Sequence, residues 1–188
     1  MEFYKRAPKR ENPELLDKVF AEVQDGLVAN LPWLDFAYGR AQRIIKRINK
    51  KEYYIPAVYI DKKDYLEVSP DSNIGNFSFF TVEEPQLVHW DPKIRGRIET
   101  GYALIFWVDL RKIPGVIGRD TELVKSEILK ALNGKFRMKH GRLTVERIYE
   151  QAENIYKGFS LKEIDNQFLM HPFAGFKFTG RLYINESC

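Results

Sequence analysis

The nearest thing to an enzyme's constellation in this chain is Pro70-Asp71 followed by Asp91-Pro92-Lys93. Two acids and a lysine in that order loosely match a metal-dependent nuclease, in which carboxylates hold Mg²⁺ and a lysine helps to activate water. The chemistry needs the second acid and the lysine on one strand, and Pro92 between them removes a ladder donor. Glu67, Asp71, Glu83, Glu84 and Asp91 are therefore read more economically as solvated acids near turns. The three histidines, His89, His140 and His171, lie far apart, none belongs to a close-spaced ligand pair, and the only cysteine is Cys188, so no zinc site is expected. His171, just before Pro172, is read as holding a turn. Gly75, Gly96, Gly101, Gly115 and Gly118 make neither a dinucleotide-binding nor a phosphate-cradling motif, and no serine sits in a hydrolase elbow. The expectation is a non-enzymatic chain with no catalytic residue, metal or cofactor.

A second kind of chemistry is available without catalysis. Arg40, Arg43, Lys46, Arg47, Lys50 and Lys51, with Tyr53 and Tyr54, form a basic segment with aromatics. Such a segment neutralises phosphates and stacks on bases, so Arg43, Lys46, Arg47, Lys50 and Lys51 are candidate nucleic-acid contacts. The competing reading is a solvated hairpin whose positive charges discourage edge-to-edge pairing.

These residues need elements to carry them. Asn12-Pro13-Glu14 reads as a helix start, and Leu16, Val19, Phe20, Val23 and Leu27 recur at helical spacing to about Ala29, before Pro32. Ala41 to Ile60 reads as two strands joined by Asn49 to Glu52, with Pro56 marking an edge or bulge. Tyr65 to Val68 and Asn76 to Val82 are shorter strands flanking the turn cluster Ser69 to Asn73. Ile98 to Leu110 contains YALIFWV without alternation, as a strand covered on both faces should. Asp120 caps a helix ending near Asn133-Gly134, and the spacing of Val145, Ile148, Tyr149, Ala152, Ile155, Tyr156 and Phe159 favours a helix over 143–159, with a strand as the alternative. Phe176 to Ile184 alternates as a half-buried strand. This order predicts an α+β fold: a mainly antiparallel sheet with two or three helices packed on one face. The expected organisation is a flexible basic arm at 1–11, one domain at 12–184 and a short tail at 185–188.

With 188 residues there is room for about one domain. The longest apolar run, Tyr102 to Val108, is far too short to span a membrane. The first sixteen residues lack an apolar stretch of signal-peptide length, so export by that route is not expected. A lone cysteine excludes an intrachain disulfide and suits a reducing compartment. The net charge of +4 conceals alternation: 11 basic and 7 acidic side chains in 1–51, 5 and 10 in 52–110, 10 and 4 in 111–147, 4 and 5 in 148–188. Blocks of alternating sign suit head-to-tail contact between copies, in which one patch meets a different one.

Three strings carry a resemblance: NLPWLDFAYGRAQRI (Asn30 to Ile44), PAVYI with YLEVSPDSNIGNFSFF (Pro56 to Ile60, Tyr65 to Phe80), and FLMHPFAGFKFTGRLYI (Phe168 to Ile184). Together they resemble small proteins encoded in phage and prophage structural gene clusters, and the layout is similar to that of tail-terminator or tail-completion proteins. The resemblance implies a virion protein, made in the bacterial host cytoplasm, that assembles as a ring, commonly a hexamer, capping the tail tube and meeting the neck. It equally admits another head-to-tail joining protein. Implied partners are further copies of the chain and tail-tube and neck or connector proteins, and no family active-site residue exists to carry over. Aromatic and arginine side chains are enriched where subunits meet. The corresponding candidates are Trp33, Phe36, Tyr38 and Arg40 in and just after the presumed connection Leu31 to Gly39, with Asp71 and Asn73 in the turn that follows. The alternative function is a DNA-binding or metal-dependent nuclease-like phage accessory protein.

Overall fold

A computed structural model describes residues 6–59, 64–71, 73–91, 94–134, 138–160 and 169–185. Its centre is a nine-stranded sheet in the order β3-β2-β1-β4-β6-β9-β7, with β5 pairing with β6 and β8 with β9. The strands are β1 Phe36–Ile48, β2 Lys51–Tyr59, β3 Tyr65–Glu67, β4 Phe77–Val82, β5 Leu87–Asp91, β6 Ile94–Asp109, β7 Gly141–Leu143, β8 Arg147–Tyr149 and β9 Phe173–Asn185. Helices α1 Leu16–Asn30, α2 Thr121–Gly134 and α3 Ala152–Ile155 complete it. Among the described pairings only β1 with β4 is parallel, so the fold is α+β with a mainly antiparallel sheet, as expected.

The unalternating run in β6 explains why it is central. Tyr102, Leu104, Phe106 and Val108 are buried on one face, while Ile105 and Trp107 are buried on the other. The first face packs under α1 and α2 through Val19, Phe20, Val23, Leu27, Val124 and Ile128. The second face carries Tyr38, Phe77, Phe79 and Trp107 with Ile155 and Tyr156 from α3 and its end. The two long helices thus share one face, as expected, and the short third helix lies on the other. At the start of α2, Leu123 N–H donates to the Asp120 carboxylate at 3.2 Å, the predicted cap.

Several readings need correction. α1 begins at Leu16 rather than at Asn12-Pro13, because Leu15 has φ 48° and breaks the helical path. The segment around Pro8 is held instead by the buried Gln24, whose Nε2 donates to Pro8 O at 2.8 Å and Ala37 O at 2.7 Å. The arm is therefore docked where it is described: Ala7 is buried, Lys9 pairs with Asp25 and Arg10 with Asp17; residues 1–5 lie outside the described residues. Residues 143–159 are not one helix but β7, β8 and the single turn α3. Their link crosses β9 at Gly180, where any Cβ would overlap the Thr144 carbonyl. Finally, the presumed connection at 31–39 already enters β1 at Phe36, and β5 is a strand in a stretch to which the sequence reading gave no element, taking Glu83, Glu84 and Asp91 only as solvated acids near turns. Asn185 still pairs with Arg97 at the end of β9, so of the expected tail only residues 186–188 lie beyond the strand, outside the described residues.

Candidate interaction surfaces

The β1–β2 hairpin follows directly from its residues. Ile44, Ile45, Tyr53, Tyr54 and Ile55 favour extended backbone, and Asn49 and Lys50 both take positive φ, 49° and 63°, the two-residue turn whose twist matches a hairpin. Register runs from Ala41 opposite Val58 to Ile48 opposite Lys51. Side chains alternate across a strand, so Arg43, Ile45, Arg47, Glu52 and Tyr54 share one face, and Lys46, Ile48, Lys51 and Tyr53 the other. β4 pairs with β1 only as far as Arg40, and β3 with β2 only from Ala57 onward. Residues 42–54 are consequently all exposed or half-buried. One clasp holds the hairpin's root, where Tyr54 N–H donates to Ser160 Oγ at 3.0 Å and Ser160 N–H donates to Tyr54 O at 2.6 Å.

The structure gathers the five candidate nucleic-acid contacts on this one projection. Lys46 pairs with Glu67 at 3.2 Å, Arg47 with Glu52 at 2.7 Å, and Arg43 lies 4.8 Å from the centre of the Tyr54 ring. Lys50 and Lys51 are exposed at the turn. Arg40 stands at the root, with its Nε buried and lacking a hydrogen-bond acceptor among the described residues.

The candidate subunit contacts are not brought together in the same way. Trp33 is 6% exposed, in the core under α2, and its indole N–H donates to Glu127 Oε2 at 2.6 Å. Tyr38 is 4% exposed on the opposite face, stacked 5.5 Å from Phe36, and burial pushes its phenol up to about 12. Both are core side chains, because the chain covers them itself; Phe36 is half-buried beside that core. Asp71 and Asn73 form a local turn in which the Asp71 carboxylate accepts from Asn73 N–H at 2.9 Å.

What the sequence reading missed is apolar. β5 and the start of β6 form a second hairpin, on which Leu87 and Val88 are 45% and 66% exposed, and Ile45 on the first is 56% exposed. Because β1 and β4 run parallel, both hairpins leave the body at the same end of the sheet. Between them lies an open groove of about 530 Å³, lined by Arg40, Gln42 and Arg43 on one side and Val82, Glu84 and Gln86 on the other. The signal for Ile45 was its place in the alternation of a basic hairpin; for Leu87 and Val88 it was the apolar pair beside Pro85.

A polar cleft of about 290 Å³ opens on the α3 face, between Glu83, Arg147, Tyr149, Lys157, Lys177 and Arg181. Lys177 donates to Asn154 O at 3.2 Å, and burial holds its ammonium below the usual lysine range, with Glu83 opposing that effect and Lys157 adding to it. Four cations, Arg147, Lys157, Lys177 and Arg181, meet two carboxylates, Glu83 and Glu146, in this cleft. Among the described residues no three His, Cys, Asp or Glu side chains converge as a metal would require. Asp71 and Asp91 lie on different elements, while Pro92 and Lys93 fall outside the described residues. No described helix is long and apolar enough to cross a membrane. Neither protein-family models nor curated proteins give a match to the chain.

Proposed function

We propose that this chain is a non-enzymatic virion-assembly protein of a tailed phage or prophage. It acts at the end of the tail or in the neck, as a tail terminator or head-to-tail joining subunit, and does so by closing a ring of identical copies. The observation that carries the reading is the pair of hairpins leaving one end of the sheet, with Ile45, Leu87 and Val88 bare on them. A chain that buries ten aromatic and aliphatic side chains of β4 and β6 almost completely has no need to leave these three in water for its own stability. Exposed apolar side chains rimmed by charge mark surfaces that another protein covers. Charge blocks of alternating sign favour a heterologous contact, and a heterologous contact that closes makes a ring. The resemblance of the three strings to phage tail-completion proteins supports the same reading and supplies its partners: further copies of the chain, tail-tube protein and neck protein. The working location is then the virion, after synthesis in the host.

Negative-stain imaging of the full chain, alone and with tail-tube protein from the same genome, tests this. Closed rings or caps on tube ends are expected. A strictly monomeric species under both conditions would overturn the reading, as would Mg²⁺-dependent cleavage of plasmid DNA that Asp71→Ala abolishes.

A further inference from the structure

From the charge and shape of the β1–β2 hairpin we infer that it is a contact surface for duplex DNA, which it engages through the phosphate backbone. The inference goes beyond the assembly role: Ile45, opposite Tyr54 toward the root, is the part of the hairpin left to a neighbouring copy, and the tip from Lys46 to Lys51 is the part that meets DNA. Between Gln42 and Tyr54 the hairpin carries five cations and one acid, Glu52. Counting Glu67 against it as well, because it reaches Lys46, the projection remains strongly positive.

The placement of those charges selects the partner. A flat protein surface meets one face of a hairpin. Here Arg43 and Arg47 lie on one face, Lys46 and Lys51 on the other, and Lys50 at the tip. Cations on both faces suit a ribbon lying between two walls of negative charge. The major groove of B-DNA has that form, about 12 Å wide and able to admit a two-stranded β-ribbon. Paired strands lie about 4.8 Å apart, so the hairpin with its side chains has matching width. Its intramolecular ion pairs are no obstacle: Lys46 and Arg47 are 46% and 77% exposed in theirs, and exposed pairs of this kind are weak enough to exchange for phosphate. Arg43, held over the Tyr54 ring, stiffens the root. These contacts reach phosphates rather than base edges, so binding is indifferent to sequence.

Fluorescence anisotropy of the full chain with a labelled random-sequence duplex tests the inference. Lys46, Arg47, Lys50 and Lys51 supply about four phosphate contacts, so log K should fall against log salt with a slope of roughly −3 to −4, or about 100-fold between 50 and 200 mM. The double variant Lys50→Asn/Lys51→Gln should lower that slope by about 2, asparagine being chosen because it tolerates the positive φ at this turn. Arg47→Gln, away from the turn, should lower it by about 1. Lys130→Gln, on the exposed side of α2, should leave it unchanged. Absence of salt-dependent binding at low salt would overturn the inference, as would an unaltered slope in both hairpin variants. So would hairpin variants that lose self-association while never having bound DNA, an outcome that assigns the hairpin to a protein neighbour.

Discussion

Asn76 is the place where three strands and a loop depend on one side chain, and replacing it with alanine should cost the fold several kilocalories. It is fully buried. Its Nδ2 donates to the Trp33 carbonyl at 2.9 Å, and its Oδ1 accepts from the Asp109 N–H at 2.7 Å. The backbone on either side is tied as well: Asn76 N–H donates to Asp35 Oδ2 at 2.8 Å, and its carbonyl accepts from Asp35 N–H at 2.8 Å and Phe36 N–H at 3.0 Å. Those backbone bonds survive the substitution, but the Trp33 carbonyl and the Asp109 N–H lose their partners in the interior. Leaving a buried polar group unpaired costs about 1–3 kcal/mol, so two cost about 4 kcal/mol. With a urea slope near 2 kcal/mol/M, the unfolding midpoint of Asn76→Ala should fall by about 2 M. Asn76→Asp should lose more, because it keeps the acceptor but removes the donor and buries a charge. Equilibrium urea unfolding followed by tryptophan fluorescence reads both. A loss below about 1 kcal/mol in Asn76→Ala would refute the claim that this side chain pins the start of β1 and β4 to the end of β6.

Two further outcomes follow from the same geometry. Trp33→Phe removes the indole bond to Glu127 and should lower stability by about 2 kcal/mol, yet leave self-association unchanged, since Trp33 is covered by its own chain; sedimentation and thermal unfolding read the two effects separately. The hydrogen bond from Arg111 holds the Asp109 carboxyl below the usual carboxylate range, with burial opposing it. A depressed carboxylate contributes stability that is complete above its unfolded value of about 3.9 and is lost as pH falls through the lower folded value. Arg111→Gln should therefore be destabilised at neutral pH, and the gap from the parent should close in acid; an equal gap at every pH would show that Asp109 is not the linked group.

The sheet's centre was legible because burial on two faces leaves a direct trace: YALIFWV can hardly be anything but a covered strand. The Asp120 cap and the alternation of Phe176 to Ile184 were legible for similarly local reasons. The failures are equally physical. β7 and β8 have three residues each, too few to display a period, and they exist because β9 offers an edge to pair with. Val145 to Phe159 nonetheless repeats every three or four residues, but the repeat marks no single face: Val145 packs against the core under α1 and α2, Ile148 is exposed, and Ile155, Tyr156 and Phe159 join the core on the other side of the sheet. Asn12-Pro13-Glu14 has the chemistry of a cap, but Gln24 and Asp17 tie the preceding segment to the body and displace the helix start. The basic hairpin was legible as a unit. That its apolar neighbours stay bare, and that Trp33 and Tyr38 do not, depends on which surfaces α2 and α3 cover, and no local pattern encodes that.

The central claim, assembly through the projecting hairpins, is tested most directly by native mass spectrometry of the full chain beside the triple variant Ile45→Ser/Leu87→Ser/Val88→Ser. These side chains are exposed in the single chain, so the variant should fold and melt like the parent. The account predicts a closed oligomer of fixed copy number for the parent and monomer for the variant. A parent that remains monomeric at every concentration, or a variant that assembles as the parent does, would contradict it.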